Sequence, residues 1–269
     1  MTALLADDGV RLDYTRHGDS AGRPVVLLAG FKAAASSWSS QLGALTEAGY
    51  DVHAVDIRGH GAADRPADGV DMARRGQDVR DALDGLDLRG AVLVGGSMGA
   101  NTIWSYVSQS GTGRVAGIVS VDQTPKMLNT AEWPYGFYGY DASNVDTYFA
   151  ESIPDTGKGT PLWKRGMRLV RLLRAMKGAE RTLTPGELAL LNDHAKADWR
   201  STVASTDVPV LFVAGEESEF WPAEHAAASA ALAPRGSSVV LADDGHAANI
   251  EQPTAFNAAL LAFLASVGH

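Results

Sequence analysis

Short, nearly continuous apolar runs alternate along this chain with longer stretches of helical periodicity. Val25–Ala29, Val52–Asp56, Ala91–Val94, Val115–Val121, Val208–Ala214 and Ser238–Ala242 read as strands. Runs apolar at successive positions suit strands covered by helices on both faces. Helices are expected at about Ala34–Ala48, Met72–Leu86, Met98–Ser110, Pro222–Ala233 and Thr254–Val267. In the last, Phe256, Leu260, Leu261, Phe263 and Leu264 form one apolar stripe. Leu12-Asp13-Tyr14-Thr15 starts a leading antiparallel hairpin. This alternation predicts an α/β fold with a doubly wound, mostly parallel sheet and right-handed crossovers.

The alternation breaks between Thr124 and Thr206. That stretch holds nine of the chain's twenty aromatic residues and no good core strand. It reads as a helical cap, residues 124–206, inserted between the core segments 1–123 and 207–269. Most aromatics in such an insertion form its own small core. The cluster Trp133, Tyr135, Phe137, Tyr138 and Tyr140 follows a strand end directly, where apolar and aromatic walls suit a substrate pocket. Trp133, Tyr135, Phe137, Tyr138, Trp163 and Trp221 are the candidate substrate-binding residues.

Composition narrows the chemistry. A chain of 269 residues, 45% of them hydrophobic, can bury a sizeable core. No run of about 18 apolar residues is present, so no membrane span is expected. The first residues lack a basic, apolar leader, and the expected compartment is the cytoplasm. The absence of cysteine excludes thiol chemistry and disulfides. A net charge of −9 argues against a nucleic-acid partner, because phosphate binding needs clustered basic charge. The one basic cluster, Lys164 to Lys177, is expected to be a solvated helix face. Histidine spacing suggests no metal site, no cofactor is expected, and the partner is a small-molecule substrate. Oligomeric state is not readable.

Gly95-Gly96-Ser97-Met98-Gly99 is the most informative segment. It follows the run Ala91–Val94 and opens a helix, which puts Ser97 on a sharp strand-to-helix turn. The outer glycines fit because strand and helix backbones come close there, and the Met98 N–H can face a developing oxyanion. A serine hydroxyl needs a base within hydrogen-bond reach. His246, after an apolar strand and an Asp-Asp-Gly turn, is the best candidate.

In these motifs the chain resembles the α/β-hydrolase fold superfamily, in its serine hydrolase, haloperoxidase-like branch. Leu28-Ala29-Gly30-Phe31, Asp56-Ile57-Arg58-Gly59-His60-Gly61, the serine turn, and Gly245-His246 with Glu251-Gln252-Pro253 come in the family's order. The resemblance implies an eight-stranded sheet with the site at the strand carboxyl ends. It implies Ser97 as nucleophile, His246 as base and the N–H groups of Phe31 and Met98 as oxyanion donors. His60 falls in a loop that packs beneath the site, a structural role. A serine nucleophile argues against dehalogenase or epoxide-hydrolase chemistry, for which the family uses aspartate. The expected reaction is cleavage of an ester, lactone or thioester of a moderately apolar substrate through an acyl-enzyme. C–C hydrolysis, perhydrolysis, cofactor-independent oxygenation and a receptor role are the alternatives.

The acid departs from the family pattern. The usual aspartate, three residues after the glycine closing the seventh strand, is Ser218 here. Asp122, at the end of the sixth strand, is the favoured carboxylate, with Glu217 or Glu219, or no acid at all, as the alternatives. A triad histidine needs that carboxylate on Nδ1 to fix its tautomer.

Overall fold

The computed structural model describes residues 2–66, 70–175 and 182–267. The first half runs β1 (Thr2–Leu5), β2 (Arg11–His17), β3 (Pro24–Leu28), a 3-10 turn at Ala35–Trp38, α1 (Ser39–Glu47), β4 (Asp51–Asp56), α2 (Met72–Gly85), β5 (Ala91–Gly96), α3 (Met98–Ser110) and β6 (Val115–Val121). A second 3-10 turn, Leu162–Lys164, follows, then α4 (Met167–Ala175), α5 (Pro185–Lys196) and α6 (Arg200–Ser205). The chain closes with β7 (Val210–Gly215), α7 (His225–Leu232), β8 (Gly236–Leu241), α8 (Ala248–Glu251) and α9 (Pro253–Ser266).

The eight strands form one sheet in the order β1-β2-β4-β3-β5-β6-β7-β8. β1 pairs antiparallel with β2, and β2 antiparallel with β4; all other pairings are parallel. The order reverses around β3, which lies between β4 and β5, so a crevice opens at the carboxyl ends of β3 and β5. β4 is buried at every position, as its apolar run requires. β8 differs from its expectation. It is an edge strand with β7 as its one neighbour, and Gly236, Ser237 and Ser238 are exposed.

Apolar side chains alternate between the two sheet faces. One face packs Leu28, Leu93, Phe212 and Val210 under Ile103 and Trp104 of α3. The other packs Val92, Val94 and Val119 against Trp38 and against Phe256, Leu260, Phe263 and Leu264 of α9. Each such fully buried Leu or Phe side chain contributes about 1.5–3 kcal/mol. A third cluster lies over the strand ends and joins the insertion to the core: Phe137, Tyr140, Phe149, Leu190 and Leu191 meet Met98 and Trp221. α5 in that layer starts with a capping box. Thr184 Oγ1 accepts from the Glu187 N–H and the Glu187 carboxylate accepts from the Thr184 N–H.

The expected solvated basic face is only partly so: Lys164 and Arg174 are exposed. Arg165 and Arg168 point inward and pair with Glu219, Glu217 and Glu251. Met167 and Leu173 face solvent instead. Buried or half-buried carboxylates on the core side attract the guanidinium groups and override the apolar pattern of α4. Lys177 lies outside the described residues.

Candidate active site

The serine turn is built by backbone crowding. A Cβ on Gly95 would stand 2.5 Å from the Ala100 nitrogen, and one on Gly99 would stand 2.5 Å from the Leu28 carbonyl oxygen. Only glycine lets β5, β3 and the start of α3 approach so closely. Ser97 itself has φ 51° and ψ −128°, a backbone state that costs a non-glycine residue on the order of 1–3 kcal/mol. Gly30 completes the fit. A Cβ there would lie 3.0 Å from Ser97 Cβ. This explains why the loop after β3 needs glycine at position 30.

Phe31 and Met98 flank Ser97 on the wall of a small cavity of about 30 Å³. The N–H groups of both residues donate to no other described residue. Beneath this loop His60 is buried, with Nδ1 3.1 Å from the Arg58 carbonyl and 3.2 Å from Arg75 Nη1. Burial, helped by the Arg75 cation, lowers its pKa to about 3. A neutral imidazole that braces a loop is a structural part.

Asp122 ends β6 with φ 44° and is fully buried. Its Oδ1 accepts from the Gly215 N–H at 2.9 Å, and its Oδ2 from Ser218 Oγ at 2.6 Å. The same Oδ2 lies 2.7 Å from His246 Nδ1. His225 Nε2 stands 3.6 Å from Oδ1, too far for a hydrogen bond. Burial pushes the Asp122 carboxyl up, but the imidazoles of His225 and His246 outweigh it and bring the pKa down to about 2. Asp122 is therefore ionised at neutral pH and holds His246 in the tautomer with hydrogen on Nδ1. Nε2 is left with a lone pair. The His246 ring packs against Phe220 and Trp221, at centroid distances of 4.4 and 5.3 Å.

The two glutamates sit elsewhere. Glu219 accepts from the backbone N–H of His246 at 2.9 Å and pairs with Arg165. Glu217 pairs with Arg168 at 2.9 Å. Neither reaches the imidazole. Ser218, at the family's usual acid position, donates instead to Asp122 at the end of the neighbouring strand.

Four of the six candidate substrate residues do not border the cavity; Phe137 and Trp221 do. Trp163 is 81% exposed, because the 3-10 turn that carries it lies on the surface of the insertion. Trp133 is buried as a brace for its own loop, donating from Nε1 to Thr124 Oγ1 at 3.1 Å, with Tyr135 packed edge-on at 5.3 Å. Tyr138 is tied by its backbone to Phe220. The wall is completed by Met127, Phe149, Ile153, Leu191, Phe220, Gln123 and His194. Sequence reasoning passed over Gln123 and His194. The adjacency of Gln123 to Asp122 was the available signal for the first. The position of His194 one helical turn after Leu190 was the signal for the second. Phe31 also borders a larger cavity of about 390 Å³, shared with Lys32, His60, Arg65 and Leu190. Among the described residues no cluster of His, Asp and Glu could hold a metal ion, and no helix is long and apolar enough to cross a membrane.

The family model for the alpha/beta hydrolase fold matches residues 23–253. A non-heme chloroperoxidase of Streptomyces lividans is 38% identical over 128 residues, covering 48% of this chain and 46% of that protein. The bifunctional esterase/perhydrolase DCH of Acinetobacter calcoaceticus is 24% identical over 99% of this chain and 100% of its own. The solved structure of a bromoperoxidase from Bacillus anthracis superposes with a TM-score of 0.80 at 26% identity, covering 98% of this chain and 99% of that one.

Proposed function

Since the chain belongs to the alpha/beta-hydrolase-fold family, we propose that it is a cofactor-free serine hydrolase that cleaves a carboxylic ester through an acyl-enzyme; lactones and thioesters fall within the same chemistry. The observation that carries this reading is the strained turn that sets Ser97 on a cavity wall shared with Phe31 and Met98, whose backbone N–H groups have no acceptor among the described residues. The Ser97 hydroxyl attacks the substrate carbonyl. His246 Nε2 takes its proton, and the resulting imidazolium is stabilised by the Asp122 carboxylate on Nδ1. The oxyanion is held by the N–H groups of Phe31 and Met98. His246 then returns the proton to the leaving alkoxide. In the second half it draws a proton from water, whose oxygen attacks the acyl carbonyl, and passes that proton to Ser97 Oγ as the bond to the acyl carbon breaks and the acid leaves. Among the described residues no hydrogen bond joins Ser97 to His246, so Oγ and Nε2 must come within reach once the carbonyl is bound.

A second reading is favoured by the chloroperoxidase, bromoperoxidase and perhydrolase names among the relatives. Hydrogen peroxide in place of water would attack the same acyl-enzyme and give a peracid. The cavity of about 30 Å³ suits either small nucleophile.

The experiment is turnover of 4-nitrophenyl acetate together with covalent labelling by a fluorophosphonate. Ser97→Ala should abolish labelling and reduce turnover by roughly 10⁴-fold or more, as when a nucleophile that acts as a unit with its base is removed. Undiminished turnover by a folded Ser97→Ala protein would refute the acyl-enzyme. Peracid formation from acetate and peroxide separates the two readings.

A further inference from the structure

The loop that carries His246 is gripped from two sides. On one side lies the end of β7. Gly215 donates its N–H to Asp122 Oδ1 at 2.9 Å, and a Cβ on Gly215 would collide with the Gly245 carbonyl oxygen. On the other side lies α8. A Cβ on Gly245 would stand 2.5 Å from Glu251 Oε1. Gly245 is thus packed between the strand end bonded to Asp122 and the carboxylate of Glu251. His246 is the next residue along the chain.

Glu251 is a costly support. The residue is 1% exposed, and a carboxylate at that depth needs a paired cation. Its ion-pair partners among the described residues are Arg168, whose Nε donates to Oε2 at 2.9 Å, and Arg165, at 4.0 Å. Both belong to the insertion, not to the sheet or its covering helices. Arg171, three residues after Arg168, donates to the Glu251 backbone carbonyl at 2.7 Å. The carboxylate therefore faces two ways. Oε2 meets the insertion, and Oε1 meets the histidine loop.

We infer that Arg168 is a positioning residue for the catalytic base: by holding Glu251 against Gly245, it fixes the His246 ring on Asp122. This rests on the reading of His246 as that base. Arg168 touches neither the imidazole nor the cavity at Ser97. It acts through the loop, where a displacement of about 1 Å can cost about 10²-fold in rate. The insertion is then part of the reaction machinery, because the core alone leaves a buried charge unpaired beside its own histidine. The same guanidinium donates from Nη1 to Glu217 at 2.9 Å, a contact that can be broken without freeing Glu251.

Two readouts test this: turnover of 4-nitrophenyl acetate and the NMR signal of the His246 Nδ1 proton. A bond of 2.7 Å to a buried carboxylate moves that signal to low field, and its loss in His246→Ala identifies it. Arg168→Met should lower kcat by roughly 10- to 100-fold, change KM by less than about 2-fold, and shift or broaden the signal. Arg168→Lys puts a point charge back beside Glu251 and should recover kcat to within about 5-fold of wild type. Glu217→Gln keeps the bond to Glu251 and should leave the signal in place. A folded Arg168→Met protein with wild-type kcat and signal overturns the inference. So does a loss carried by KM alone, which would make Arg168 a binding residue. If Arg168→Met does not fold, Arg168→Met combined with Glu251→Met replaces the buried pair by apolar groups of similar size. That protein should fold and show the same loss, and wild-type kcat with an unmoved signal again overturns the inference. If the wild type cleaves no ester, the hydrolase reading falls, and the Nδ1 signal alone decides whether Arg168 positions His246.

Discussion

Asp122 and Asp244 are two aspartates at the same end of the sheet, one closing β6 and one following β8, and both are fully buried. Their charge states are opposite. Asp122 accepts from Gly215 N–H, Ser218 Oγ and His246 Nδ1, and its pKa is brought down to about 2. Among the described residues neither oxygen of Asp244 has a hydrogen-bond partner. Burial, with the nearby negative charges of Glu251 and Asp122, raises its pKa to about 8. Depth is the same in the two cases, so depth does not decide ionisation. Donors aimed at the carboxylate do. The difference shows why Asp122 can serve as a fixed negative charge next to a histidine and why Asp244, two residues before that histidine, cannot.

The largest effect comes from removing the charge while keeping the shape. Asp122→Asn must present an NH₂ either to the Gly215 N–H or to His246. One of those contacts becomes donor against donor, and the tautomer of His246 is no longer fixed. Turnover should fall by roughly 10³- to 10⁴-fold. Steady-state kinetics on a folded variant checks this. A loss below about 10-fold would show that the buried charge is not what His246 needs.

The next test uses pH and stability. The folded pKa of Asp244 lies above its ordinary value of 3.8, so this group's contribution is fully present below about pH 4. It is lost as pH rises through about 8. Asp122 works in the opposite sense. Its contribution of about 2 kcal/mol is present above pH 4 and disappears as pH falls toward 2. Wild-type protein should therefore lose stability between pH 5 and pH 8, whereas Asp244→Asn should lose markedly less. Urea unfolding at the two pH values measures it. Parallel losses in the two proteins would mean that Asp244 is not protonated in the fold.

Ser218→Ala is a smaller perturbation of the saturated carboxylate. It removes one of the three bonds to Asp122 and leaves the charge in place. A hydrogen bond to a charged group is worth about 1.5–3 kcal/mol. Part of that should appear as a roughly 10-fold loss in kcat/KM. Steady-state kinetics on the folded variant measures it, and unchanged kinetics would reduce Ser218 to filler.

What the sequence disclosed follows the same physics. Strands and crossovers were legible because a strand covered on both faces has no polar option, as in Val92 to Val94. Ser97 was legible because its turn tolerates only glycine at 95 and 99. The two glutamates beside Ser218 left the carboxylate open, since spacing along β7 does not say which oxygen faces His246. The insertion was legible as a region and opaque in detail. Trp133 and Trp163 look alike in sequence, yet one braces a loop and the other faces solvent. The inward turn of Arg165 and Arg168 was not legible because their partners, Glu217, Glu219 and Glu251, come from segments far along the chain. Gln123 and His194 carry no motif at all; their place on the cavity wall becomes visible only when separate elements converge there.

The smallest effect is expected at the end of β7. Glu219 accepts from the His246 backbone N–H at 2.9 Å and pairs with Arg165 through its other oxygen. Glutamine keeps an acceptor for the N–H and gives up the ion pair. Its side chain is 21% exposed, and a partly solvated pair contributes about 0–1 kcal/mol. Glu219→Gln should then change kcat/KM by no more than about 5-fold, with the change shrinking as salt is raised. Glu217→Gln, whose side chain is tied to Arg168 and does not contact His246, should do less. A loss at Glu219 that rivals Asp122→Asn would move the charge that stabilises the imidazolium from β6 to β7, and the contrast between a saturated and a starved carboxylate would no longer explain the site.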